Sequence, residues 1–247
     1  MKTRALVIGY ALALTLLLFA QRHTTPAQGR AFNNVIDLTH ASDVRDAEVS
    51  RATASADGND PIRRGFATRI EAPSHLARGL WTVDQIPAER LKAPLVVLDV
   101  RDEAERDSDY QISVDDIADW EKANGQVPQG AVVVARTGWE PRRDSASELQ
   151  TANRTAAVRF PGYSEEAARF LVDGRNVIGL GIDAPSVDNG SPGTQRVRDY
   201  TLAHSLYHLD NLAHLDRVPA SGATVVVAPL KLSGGSAAPV RVLAMTK

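Results

Sequence analysis

The chain has 247 residues, with 28 Lys and Arg against 30 Asp and Glu, six His, no Cys, and 43% hydrophobic residues. That length suits one large domain or two small ones, with enough apolar chain to bury a sizeable core. A formal charge of −2 with 23% charged residues excludes a disordered acidic tail and a strongly basic nucleic-acid binder. The lack of Cys excludes a disulfide scaffold, a thiolate zinc site, a cysteine nucleophile and a lipid-anchored cysteine.

In chain order, Lys2 and Arg4 precede a 16-residue apolar run, Ala5 to Ala20, and a polar stretch of small residues to Gln28. This is the anatomy of a secretory signal, and the run falls short of the roughly 18 to 20 residues that span a bilayer. Residues 1–27 therefore read as a signal peptide and 28–247 as one mature domain, secreted or periplasmic. Removing the leader takes away three cations and no acid, so the net charge moves from −2 to −5. Residues 41–64 form a long polar excursion, and 142–159 form another. From residue 94 the pattern alternates. Leu95–Val100 and Ala131–Ala135 read as buried strands. Between them Ser113 opens a helix with Val114, Ile117, Ala118 and Trp120 on one face, and Gly125 stops it. Ser164 opens a second helix, with Ala167, Ala168, Leu171 and Val172 inward and Gly174 as the expected cap. Val177–Ile182, Val225–Ala228 and Val240–Leu243 complete the strands. This order predicts an α/β domain with a mixed, partly parallel sheet.

Several residue patterns carry chemistry. Gly179-Leu-Gly181 lacks both the Walker and the dinucleotide spacing, so it reads as close backbone packing. Ser186, in Asp183-Ala-Pro-Ser-Val-Asp188, follows a strand at its C-terminal end, either in a ligand crevice or in a plain Asp/Pro/Ser turn. His204, His208 and Asp210 are spaced H-x3-H-x-D. On a helix the two histidines share a face; on a strand His208 and Asp210 do. Such a group can bind a divalent metal, whereas the nearby Leu202, Leu206, Leu209 and Leu212 suit a core segment.

Five stretches are informative together: Asp37-Leu-Thr-His40, Thr68 to His75, Arg136-Thr-Gly-Trp139, Gly181 to Asp188, and Pro229 to Ser236 leading into Pro239-Val-Arg241. In these the chain resembles the cyclase family of metal-dependent hydrolases, which includes bacterial kynurenine formamidases and isatin hydrolases. The stretches occur in family order and span residues 35 to 245. The resemblance implies a single cyclase-like domain of swivelling β/β/α character, a homodimer or homotetramer, and hydrolysis of aryl formamides or cyclic amides with zinc or manganese. It implies a small-molecule substrate or ligand, no nucleic acid, and no membrane after signal cleavage. The family signature is H-x-G-T-H-x-D-x-P-x-H, in which the first two histidines and the aspartate hold metal. The last histidine acts as acid/base or as a ligand of a second metal. In the formamidases a later His, and a Glu twelve residues after it, complete the site.

This chain departs from the signature at the metal positions. Anchored on Thr68, Pro73 and His75, the two metal histidines fall on Gly65 and Arg69, and the aspartate on Glu71. The later Glu falls on Asp210 and its His on Arg198. An arginine stays protonated and has no lone pair for a metal, but it pairs with carboxylates in a two-pronged manner. Arg69 and Glu71 are two apart and so share a face of a strand. Arg69 and Arg198 are thus expected to supply the metal's charge by pairing with Glu71 and Asp210. Three readings follow. One is a hydrolase with a relocated metal on His75, Glu71, His208 and Asp210. The second is a metal-free enzyme with His75 as catalytic base. The third is an inactive binding protein for a small acidic ligand on the same scaffold. Arg69, Trp139, Ser186 and Arg198 are the expected substrate-binding residues.

Overall fold

A computed structural model describes residues 34–41, 67–142, 159–191 and 195–247. The leader 1–27, Gly65 and most of the two polar excursions lie outside the described residues. In chain order the elements are β1 (Asn34–Asp37), β2 (Arg69–Glu71), β3 (Lys92–Asp99), α1 (Arg101–Arg106), β4 (Gln111–Ile112), α2 (Val114–Asn124) and β5 (Val132–Arg136). There follow β6 (Gly162–Tyr163), α3 (Glu165–Arg175), β7 (Gly179–Ile182), α4 (Arg196–Ala203), β8 (Tyr207–Asp210), β9 (Ala223–Pro229) and β10 (Ala237–Thr246).

The main sheet runs β1-β10-β2-β8-β7-β5-β3-β9. Its β3–β5–β7–β8 stretch is parallel, as expected for strands joined through helices, and the remaining pairings are antiparallel. Because β9 pairs with both β3 and β10, the sheet closes on itself. The mixed α/β class and partly parallel sheet expected from the sequence are observed. Two cores follow from the period of two along each strand. Ile70, Val97, Val134, Tyr207 and Leu209 point inside the closed sheet. Val96, Leu98, Val133, Leu180 and Ile182 point outward against Ile117, Trp120, Ala168 and Leu171 of the helices.

The helix boundaries have local causes. Ser113 Oγ accepts from Asp116 N, while the Asp116 carboxylate accepts from Ser113 N at 2.7 Å, a reciprocal box at the start of α2. Gly125, at φ 85°, ends that helix as expected. Gly174 does not end α3. The helix continues to Arg175, and Asn176 takes the left-handed cap at φ 52°, a conformation that asparagine tolerates because its short amide bonds locally. Ser164 Oγ caps the other end, accepting from Ala167 N at 3.1 Å. Ser164→Ala should therefore cost about 1 kcal/mol in urea denaturation, the usual value of an N-cap hydroxyl; an unchanged midpoint would show that the cap adds nothing. The glycines of β7 confirm close packing. A Cβ on Gly181 would come within 2.8 Å of Val134 Cγ1, and one on Gly179 within 2.8 Å of the Tyr207 ring.

Candidate functional site

The site begins with the register of β2 on β8. Arg69 stands opposite Asp210, Ile70 opposite Leu209, and Glu71 opposite His208. Ile70 and Leu209 face the closed core, so Arg69, Glu71, His208 and Asp210 all emerge on the other face. Helix α4 contributes Arg198 and Thr201 there. The Asp188 carboxylate fixes the start of α4 by accepting from Val197 N at 2.9 Å and Arg198 N at 3.3 Å. His75 arrives from the short turn Pro73–His75, which is tied to the end of the Gly-rich turn by Ala72 N donating to Ser236 O. Thr68 stitches the neighbourhood: its hydroxyl donates to Asn211 O at 2.6 Å and accepts from His40 N at 2.9 Å.

At the centre, Arg69 lies between the two carboxylates. Its Nη2 donates to Glu71 Oε1 at 2.7 Å and its Nε to Asp210 Oδ2 at 3.1 Å. Arg198 Nε stands 3.3 Å from the other Glu71 oxygen, Oε2. His75 Nε2 is 4.0 Å from Glu71 Oε1, and its Nδ1 is 3.4 Å from Ser236 Oγ. His208 is fully buried. Its Nε2 meets Thr201 Oγ1 at 2.6 Å, and Thr201 in turn donates to Val197 O. That leaves Nδ1 facing Glu71 Oε2 at 3.9 Å, beyond hydrogen-bond range.

The charges adjust accordingly. Burial alone would raise Glu71, but Arg69, the adjacent His208 and Arg198 outweigh it and hold its carboxyl well below the usual value. Asp210 moves the other way: burial and the Glu71 charge raise it, and Arg69 only partly offsets them. Burial lowers both His75 and His208, against the pull of Glu71 and assisted by the two arginines. Both imidazoles are therefore neutral near pH 7.

The residues present do not fit the family's metal. Both carboxylates converge on a guanidinium, which cannot ligate. Among the described residues no three His, Asp or Glu are grouped to hold a metal ion. The expected set of Glu71, His208 and Asp210 does come together on one face, with a guanidinium among them. Arg69 occupies the space between the carboxylates, and His208 commits Nε2 to Thr201. Of the H-x3-H-x-D group, His204 ends α4 while His208 and Asp210 share a strand face.

Two expected ligand-lining residues are buried. Trp139 is 2% exposed, donates from its indole to Arg159 O at 3.2 Å and stands edge-on to Phe160, so it belongs to the helix-side core. Ser186 is buried in the turn that carries Asp188, and its Oγ accepts from Asp188 N. Asp183 holds the neighbouring loop by accepting from the Thr137 backbone and hydroxyl and from Gly138 N. Sequence reasoning missed Thr201 and Ser236. Thr201 left no sequence signal, being one hydroxyl within a helix, while Ser236 lay in a Gly-rich turn already singled out.

Comparison with known proteins gives the family. The family model described as Putative cyclase matches residues 35–189. The isatin hydrolase of Roseibium aggregatum is 32% identical over 188 residues, covering 72% of this chain and 70% of that protein. A kynurenine formamidase from Polaromonas naphthalenivorans is 33% identical over 97 residues, 38% of this chain and 43% of that one. Isatin hydrolase A from Labrenzia aggregata, solved with benzyl benzoate bound, superposes with a TM-score of 0.67 at 31% identity, covering 86% and 93% of the two chains. The Ralstonia solanacearum isatin hydrolase A gives 0.71 at 27% identity, covering 87% and 92%. With its fold, its motif order and two thirds of its length matched to these hydrolases, the chain belongs to the cyclase family.

Proposed function

We propose that this protein is a cyclase-family member working without a metal ion, its metal centre exchanged for the buried Arg69–Glu71–Asp210–Arg198 network, and that its cleft binds a small acidic molecule rather than hydrolysing an amide. The observation that carries this reading is Arg69 bridging both carboxylates. Without a cation, two buried carboxylates facing each other would repel, and one guanidinium relieves that repulsion while removing the electrophile that activates water. Cleavage of the leader would place the protein outside the cytoplasm as a homodimer or homotetramer.

Elemental analysis of the purified protein, after incubation with zinc and manganese and removal of the excess, tests the reading. The expected result is no retained metal. About one ion per chain, lost in His75→Ala or Asp210→Ala, would sink it and restore metal-dependent hydrolysis of aryl formamides or cyclic amides. A second reading, metal-free hydrolysis, is favoured by His75: neutral, partly exposed, and flanked by Glu71 and Ser236. It requires turnover of an aryl formamide or isatin by metal-stripped protein, abolished in His75→Ala.

A further inference from the structure

The two site arginines differ in how they are satisfied. Arg69 spends Nε and Nη2 on carboxylate oxygens. Arg198 is just as buried, each side chain being 11% exposed, yet its guanidinium makes no hydrogen bond among the described residues. Among the described residues its one ion pair within 4 Å is with Glu71 Oε2 at 3.3 Å, and the orientation leaves both Arg198 Nε and Glu71 Oε2 without a hydrogen bond. A buried donor left in this state costs more than an exposed one, because nothing replaces the water it gave up.

Arg198 is anchored at the start of α4. Its backbone N–H donates to Asp188, its carbonyl accepts from Thr201 Oγ1 at 3.3 Å, and it lies in the first turn of α4. Glu71 cannot turn to meet it, since Oε1 is held by Arg69 at 2.7 Å. The fold thus presents, from an anchored backbone, a guanidinium with unused donors. His75, 23% exposed, stands near one Glu71 oxygen while Arg198 stands near the other.

We propose that Arg198 anchors a carboxylate-binding subsite. A planar organic carboxylate would lie across two of its N–H groups, with His75 beside it at the solvent edge. A planar fork matched to a planar acceptor satisfies two donors at once, which an ammonium cannot do. The assignment rests on the metal-free reading above and narrows its ligand to small organic acids.

The test is calorimetric titration of the full chain with benzoate, and in parallel with benzamide and inorganic phosphate, on protein whose metal content is measured in the same preparation. Saturable benzoate binding is expected, with benzamide at least tenfold weaker. Arg198→Gln should lose the benzoate signal, and Arg198→Lys, which keeps the charge without the fork, should weaken it about tenfold, or about 1.4 kcal/mol. Circular dichroism of each variant identifies any that fails to fold; Arg198→Lys then decides. Absence of benzoate binding, equal binding of benzamide, preference for phosphate, or full binding by folded Arg198→Gln would each overturn the subsite. Metal-free protein that ignores benzoate refutes the subsite alone. Metal-loaded protein that still binds benzoate through Arg198 refutes only the metal-free reading.

Discussion

Replacing Arg69 by alanine is expected to destabilise the protein by about 3–5 kcal/mol, the usual consequence of removing one partner from a buried ion pair. The expectation is specific because this arginine has two partners. Glu71 is 2% exposed and Asp210 is 1% exposed, and both lose their strongest hydrogen bond together. Arg198 makes neither of these bonds, standing 3.3 Å from the far oxygen of Glu71 without a hydrogen bond to it. The variant's simplest relief is a proton on Asp210, whose carboxyl burial and Glu71 already raise. The loss should therefore be smaller at pH 5 than at pH 8. Adding Asp210→Asn to Arg69→Ala removes one of the stranded charges and should recover part of the deficit, a coupling expected for residues in direct contact. Urea denaturation of the two variants measures both effects. A loss below about 1 kcal/mol for Arg69→Ala would place the pair in the class of exposed salt bridges and remove it as the structural replacement for a cation.

Much of this site follows from the period of a strand. Knowing that Arg69 and Glu71 are two apart places both on one face, and the same holds for His208 and Asp210. What the period cannot supply is the neighbour. β2 and β8 pair across about 140 residues of chain, and only that register brings Asp210 opposite Arg69. The position of α4 over β8 was invisible for a similar reason. Its start is capped from Asp188, nine residues upstream in a separate turn, rather than by its own N-cap residue Gln195. Trp139, expected to bind substrate, lies in the helix-side core, where its ring buries apolar surface and its indole N–H finds the Arg159 carbonyl, contacts that residue type alone does not reveal. Buried strands such as Leu95–Val100 and the capped helices were legible because their signals are local. The site was half legible because its ion pairs are not.

Asp183 and Asp188 should each take stability away as the pH rises from 5 to 7.5. Burial pushes the carboxyls of Asp183 and Asp188 from 3.8 up to about 6, despite the backbone donors that favour their charged forms. A carboxyl whose pKa is higher in the folded state binds its proton more tightly there, so folding is favoured while it is protonated. That advantage is lost as the pH climbs from about 4 to about 6. Between pH 5 and 7.5 each group accounts for about 1.4 kcal/mol, or about 3 kcal/mol for the pair. Asp210 acts in the same direction, since burial and Glu71 raise it too. Glu71 acts oppositely: held well below 4.5 by Arg69 against its burial, it stabilises the fold above that pH and ceases to do so as acid protonates it. His75 and His208 act oppositely as well: burial lowers both, so the unfolded chain takes up their protons first and stability falls as the pH drops through their unfolded value. Asp188→Asn separates the ionisation from the architecture, because an asparagine oxygen still accepts from Val197 N at the start of α4. That variant should keep its fold at pH 5 and lose roughly half of the decline between pH 5 and 7.5, about 1.4 kcal/mol by the same linkage. A pH dependence identical in Asp188→Asn and the parent protein would mean that Asp188 is ionised throughout, its donors at Val197 and Arg198 outweighing the cost of burial.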